Sequence, residues 1–271
     1  MKTLKQHINE ALKIGKNLSE WSAYSCQPKT KEELQKIIKD RIRKQGNECD
    51  LNDIDVSLID DMSYLFRESK FNGDISKWDT SSVENMSYLF CESKFNGDIS
   101  KWNVSNVNNM SYMFFDSKFN GDISGWDVSS AKSMSCMFFY SKFNGDISRW
   151  DVSSAIEMND MFNNSKFNQD ISNWNVSNVE NMDSMFAESK FNGDISKWDI
   201  SKVKDMEAMF TESKFNGDIS KWDVRNVNSM SYMFAYSKFN KDISNWKISK
   251  NCNTSNMFND CPIKEEYKPK L

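Results

Sequence analysis

Twelve residues, SKFNGDISKWDT at positions 69–80, return almost unchanged from positions 93, 117, 141, 165, 189, 213 and 237. This fixed period of 24 residues constrains the chain more than any other property. A unit that short cannot bury its own apolar face, so units must stack and close one continuous core between them.

The apolar letters within one unit predict its local structure. Val83, Met86, Leu89 and Phe90 fall at i, i+3, i+6 and i+7, the spacing of one helical face. Phe71, Ile75, Trp78 and Thr80 lie in a stretch of strand-favouring residues. Each unit therefore reads as one short strand followed by one short helix, an α/β solenoid with a strand ladder on one side and helices on the other. About nine turns at roughly 4.8 Å each give a slab on the order of 40 Å long.

The flanks depart from the repeat. Leu4, Ile8, Ala11 and Leu12 share a helical face, and Thr30 with Glu33 reads as a capping box. That box opens a second helix, with the apolar stripe Leu34, Ile37, Ile38 and Ile42, ended by Gly46. The expected organisation is a helical N-terminal cap over residues 1–49, a repeat solenoid over 50–260 and a C-terminal tail over 261–271. The stripe would cover the open first turn, since terminal repeats need capping. In WKISKNCNTSNMFNDC, Asn251 and Thr254 replace the usual Val and Met, as in a closing half-turn with a more polar face.

Composition narrows the function classes. The 35 basic and 39 acidic residues are mixed along the chain and leave a net charge of −4, which supplies no footprint for nucleic acid. No segment approaches the length and apolarity of a membrane span, and the N-terminus lacks the apolar run of a secretory signal, so the chain as written is expected to stay in the cytoplasm. Six cysteines with irregular spacing match no zinc pattern and read as free thiols, with Cys252 and Cys261 the one pair close enough for a staple. His7 is the only histidine and has no nucleophile context. There is no phosphate-cradling glycine loop, and a calcium ladder from Asn72 and Asp74 would lack ligands and face the fixed Lys70. The expectation is a non-enzymatic chain without cofactor or metal.

Comparing units separates fixed from variable positions. Phe71, Ile75, Trp78 and Met86 and their equivalents are the expected core, although an exposed Trp78 column would offer a ladder for a sugar chain. Asn72 and its equivalents would close hydrogen bonds inside each turn. Gly73 gives way to Gln169 and Lys241, so the position does not demand a glycine conformation. Lys70 and Asp74 recur in every unit and read as two charged rows that neutralise each other, a lysine row facing an anionic polymer being the other reading. Residues 67, 68, 87 and 88 and their equivalents vary, as either a binding face or solvated helix surface.

The pattern W-D-V-S-x-V-x-x-M-x-x-M-F-x-x-S-x-F-N-G-D-I-S runs from Trp102 to Ser124, with Asn103 in the Asp position. It resembles the BspA-type leucine-rich repeat surface proteins, a group also described by a domain of unknown function shared with mycoplasma lipoproteins. The resemblance covers roughly residues 50–260 and implies a leucine-rich-repeat-like solenoid, a surface location and a role in protein or cell-surface binding.

Three functions remain: recognition of a protein through the variable edge, binding of a glycan on the Trp78 column, and a stiff structural spacer. The candidate binding residues are Phe115, Asp116, Phe139, Tyr140 and Tyr236, because aromatics are enriched in interface anchors.

Overall fold

The computed structural model describes residues 24–270. The helix expected over residues 1–20 lies outside them. Helix α1 (Lys31–Gln45) forms where the capping box places it: the Thr30 side chain accepts from the Glu33 N–H at 3.3 Å, and a Glu33 carboxylate oxygen accepts from the Lys29 N–H at 2.7 Å. Gly46, with φ 90°, ends the helix and donates its N–H to the Ile42 carbonyl. Leu34 and Ile38 are fully buried and continue the core of the first coil.

From there the chain winds as a repeat solenoid. Single parallel bridge pairs connect Asp61 to Asn85 and then, in 24-residue steps, Asn109, Ser133, Glu157, Asn181, Asp205, Ser229 and Asn253. Coils are numbered by those residues, coil 1 starting at Asp61 and coil 9 at Asn253. Columns of Phe, Ile, Trp, Val and Met equivalents to Phe71, Ile75, Trp78, Val83 and Met86 fill a single interior.

The strand-and-helix unit is corrected. Among the described residues, only α1 is an α-helix, joined by one 3-10 turn at Glu265–Tyr267, and pairing between coils is confined to isolated bridges. The run with helical spacing is instead a chain of tight turns: Leu89 donates to the Met86 carbonyl, Cys91 to Tyr88 and Ser93 to Phe90, each at 3.2 Å. The alternate amides leave the coil altogether, with Met86, Tyr88, Phe90 and Glu92 donating to carbonyls of Asn109, Ser111, Met113 and Phe115 in the next coil. The physical reason is spacing. Packed helices need about 8–10 Å between axes, and the stacked Tyr, Phe and Trp columns repeat at no more than 6.5 Å.

The spacing also bends the array. Equivalent rings lie 4.4–4.6 Å apart in the Tyr64, Tyr88, Tyr112 column and 5.6–5.9 Å in the Phe66, Phe90 column. In the Trp column they lie 6.2–6.5 Å apart, with planes within 5° of parallel. Near-identical units whose separation grows from one edge to the other form an arc, so the solenoid is concave along the tyrosine edge and convex along the tryptophan edge. It is not the flat slab that the period alone suggests.

The expected burial of the Trp78 column holds, and two further expectations, for the Asn72 column and for the Lys70 and Asp74 rows, change. The Trp78 column is 3–5% exposed, and each indole Nε1–H donates to a carbonyl 27 residues earlier, Trp78 to Leu51 at 3.0 Å and the rest to Ile residues, as Trp102 does to Ile75 at 3.1 Å. No sugar chain can lie on rings buried in the core. The Asn72 column bonds between coils rather than inside them: the Asn96 N–H donates to the Asn72 side-chain oxygen at 2.8 Å, and the pattern continues to Asn240. Stacking puts each Asn side chain one coil spacing from the next Asn backbone N–H, which is the donor it meets. The Lys70 and Asp74 rows are both exposed, and no ion pair joins them among the described residues. Each Asp instead accepts from a backbone N–H two residues on, as Asp122 does from Ser124 at 2.9 Å, which holds its carboxyl below the usual range. All six cysteines are free, Cys252 and Cys261 included. No repeat glycine has positive φ, which explains why Gln169 and Lys241 are accepted in the Gly73 column. Gly73 itself is confined, because a Cβ there would sit 1.9 Å from the Cys49 carbonyl oxygen.

Candidate functional site

The consecutive turns of the concave edge need left-handed backbone at two positions per coil. Tyr64, Tyr88, Tyr112, Cys136, Asp160, Ser184, Ala208, Tyr232 and Asn256 occupy the first with φ of 49–65°. Glu68, Glu92, Asp116, Tyr140, Asn164, Glu188, Glu212, Tyr236 and Asp260 occupy the second with φ of 43–56°. A non-glycine residue in this region costs on the order of 1 kcal/mol. None of these positions is glycine, although glycine would fit the backbone best, and their side chains range from the exposed Tyr64 and Tyr140 to the buried Cys136.

In coils 1 to 4 aromatic side chains at these positions and at the residue before the second of them form a continuous row. Tyr64, Tyr88 and Tyr112 stack face to face, with planes 6–7° apart. Tyr112 meets Phe115 at 5.8 Å, Phe115 stacks on Phe139 at 5.1 Å, and Tyr140 stands edge-on to Phe139 at 4.7 Å. Tyr64 and Tyr140 are 44% and 50% exposed, and Phe115 and Phe139 are half-buried. At the row's start, Lys31 of α1 pairs with Asp61 at 3.0 Å and lies over the Tyr64 ring, while the Arg67 guanidinium lies 5.9 Å from the Tyr64 and Tyr88 ring centres. A hydrogen bond to the Cys136 thiol and burial both push the Tyr112 hydroxyl pKa up. Burial raises the Cys136 thiol itself to about 12, so it is an unreactive packing group at neutral pH.

In coils 5 to 7 the same edge turns acidic. Residues 157–164, 181–188 and 205–212 carry Glu157, Asp160, Asp183, Glu188, Asp205, Glu207 and Glu212, without a lysine or arginine. Burial pushes the Asp183 carboxyl up to about 6, and Asp160, Asp205 and Glu207 add repulsion. Aromatic side chains return in coil 8, where Tyr232 and Tyr236 are 42% and 49% exposed and the Tyr236 hydroxyl accepts from the Asn259 amide at 2.8 Å.

Of the candidate binding residues, the structure brings Phe115, Asp116, Phe139 and Tyr140 together on adjacent coils, the Asp116 N–H donating to the Phe139 carbonyl at 2.8 Å. Tyr236 shares the Tyr140 column but lies four coils away, beyond the acidic tract. The variable positions are not solvated helix surface, since no helix is there. The Tyr64, Tyr88, Tyr112 stack is absent from the sequence-based candidates, though the repeated Ser-Tyr pair at 63–64, 87–88 and 111–112 is a signal that could have found it. Among the described residues, no three His, Cys, Asp or Glu side chains converge to hold a metal ion, and no helix is long and apolar enough to cross a membrane.

No curated protein and no solved structure matches the chain. A family model does match it, over residues 32–142, 115–214 and 187–266, three overlapping stretches that together take in α1 and every coil. The chain belongs to the repeat family described as Mycoplasma protein of unknown function, DUF285.

Proposed function

We propose that this chain is a non-catalytic recognition scaffold that binds a protein partner along its concave edge, with coils 1 to 4 as the anchoring region. The observation that carries this reading is the partly exposed aromatic row from Tyr64 to Tyr140, on an edge where the repeat varies. Exposed contiguous apolar surface marks interaction sites, and solenoids use their concave faces for extended binding. The likeness of Trp102 to Ser124 to the BspA-type repeat supports the same role at a cell surface.

A glycan fits this edge less well. Sugar rings stack on free aromatic faces, and the faces of Tyr64, Tyr88 and Tyr112 are taken by one another at 4.4–4.6 Å, leaving mainly edges to solvent.

The test is a selection of displayed peptides against the full chain, followed by affinity measurement with the double substitution Phe139→Ala and Tyr140→Ala. Loss of about 2 kcal/mol or more of binding is expected, the scale of an aromatic anchor. Selected peptides that bind the variant unchanged would move the site elsewhere, and failure to select any peptide would leave a spacer as the better reading.

A further inference from the structure

We propose that the segment bound on the concave edge is an extended peptide with a lysine- or arginine-rich centre of roughly four residues between apolar or aromatic flanks. This rests on the reading of the edge as a recognition surface and specifies its partner.

The concave edge carries charge that no other side chain neutralises. Seven carboxylates line the turn runs of coils 5 to 7, and among the described residues none of them takes part in an ion pair. Their partners are neutral: the Asn164 amide donates to Glu188 at 2.8 Å, Ser229 to Glu207 at 3.1 Å and Ser184 to Asp183 at 2.8 Å. The nearest lysine column, Lys166, Lys190 and Lys214, starts two residues beyond the runs, is exposed and pairs with none of them. The ion pair between these coils, Lys204 to Glu180 at 2.6 Å, lies outside the runs. Elsewhere the same edge is less acidic: Asp61 pairs with Lys31 and Glu68 with Arg67, coils 2, 3 and 9 carry a single carboxylate each at Glu92, Asp116 and Asp260, and coil 4 has no charge between Ser133 and Tyr140.

Curvature concentrates the effect. Coils are closest along this edge, and like charges gathered in a concavity focus a negative potential. Such a tract repels phosphate polymers and acidic membrane surfaces, and attracts a cationic chain.

Dimensions set the length. Three coils at about 4.8 Å span roughly 10–14 Å, which an extended chain at about 3.3 Å per residue crosses with roughly four residues. The flanks of that segment then meet Phe139 and Tyr140 on one side and Tyr232 and Tyr236 on the other, which is why apolar or aromatic flanks fit.

Three labelled peptides test this against the full chain. All carry tryptophan-bearing flanks, and their four central residues are lysine, serine or glutamate. The lysine peptide is expected to bind about tenfold more tightly than the serine peptide, with an advantage that shrinks as salt rises from about 50 to about 300 mM. The glutamate peptide should bind weakest. The triple substitution Asp160→Asn, Glu207→Gln and Glu212→Gln should erase the preference while leaving serine-peptide binding intact, which also reports that the variant is folded.

Equal binding of the lysine and serine peptides, or a preference that survives the triple substitution, overturns the basic centre. If the serine peptide still depends on Phe139 and Tyr140, the recognition surface stands without it. If all three peptides fail to bind, both readings fall. Spermine that displaces the lysine peptide at equal concentration would identify the ligand as a small polycation, which overturns the peptide.

Discussion

The two edges of each coil make opposite use of the same 24 residues. On the convex edge the Trp78 column is invariant, buried and bonded backward, each indole donating to a backbone carbonyl 27 residues earlier, that of Leu51 for Trp78 and of an Ile for the rest. On the concave edge the outward positions vary from Tyr to Asp to Ala, the backbone is held left-handed, and alternate amides donate forward to the next coil. The difference teaches where freedom lies in a stacked array. A side chain that fills space against its own copy above and below cannot change in one coil alone, whereas one that points out of a turn can change without touching the stack.

The largest effect that would break this contrast is on the convex edge. Trp150→Ala removes a ring stacked between Trp126 and Trp174 at 6.5 Å and strands the Ile123 carbonyl. A loss of about 3–5 kcal/mol in denaturant unfolding is expected. In the unsubstituted chain the same burial predicts blue-shifted tryptophan emission that acrylamide quenches poorly, since eight of nine tryptophans share this column. A cost near zero, or ready quenching, would mean the column is not the core.

A smaller effect, with a sign set by pH, sharpens the acidic half of the concave edge. The Asp183 carboxyl is raised from its ordinary 3.8 to about 6. The folded chain therefore holds a proton there that the unfolded chain has already released, so the stability it contributes is present at acid pH and is lost as pH rises through about 6. Asp183→Asn should stabilise the fold by about 1 kcal/mol at pH 7.5, allowing for partial solvent screening, and the gain should fade by about pH 4. Thermal midpoints at the two pH values decide it, and an equal gain at both would show that charge is not the cause. The turn carboxylates Asp98, Asp122 and Asp146 run the other way, since their lowered pKa values contribute stability that is lost as pH falls below the usual carboxylate range.

The smallest effect concerns backbone strain. Ala208 has φ 49°, so Ala208→Gly relieves left-handed strain while loosening the unfolded chain. A net gain of up to about 1 kcal/mol is expected. A measurable loss would show that the concave edge stores no strain at this position. The paired substitution at Phe139 and Tyr140, by contrast, should change stability less than Trp150→Ala and act on binding.

Much of the interior is legible in the sequence. Phe71, Ile75 and Trp78 recur without exception among the eight repeats, Met86 gives way only to Thr254 in the last, and all of these Phe, Ile, Trp and Met residues are buried. The capping box at Thr30 and Glu33 is equally legible, because it needs only neighbours along the chain. The turns of Val83 to Phe90 are not, because i, i+3 and i+7 spacing describes a helix and a succession of tight turns alike, and periodicity alone cannot separate the two. What separates them is the coil spacing itself, too small for helices side by side.

The candidate site divides in the same way. Phe115, Phe139 and Tyr140 stand out as aromatics in variable positions of adjacent units, while the Tyr64, Tyr88, Tyr112 stack is hidden as long as these residues are taken to lie on a helix. The acidic tract of coils 5 to 7 is diluted in a sequence whose charges nearly balance over the whole chain.

The sequence by itself determined that this protein is a stack, what its period is and which columns lie inside, because repetition forces equivalent residues into equivalent places. Only the tertiary structure decided that the coils are made of turns, that they arc toward the tyrosine edge, and that three acidic runs form one tract. Those properties depend on the distance between successive coils, a quantity that belongs to the stacked array and to no single unit of it.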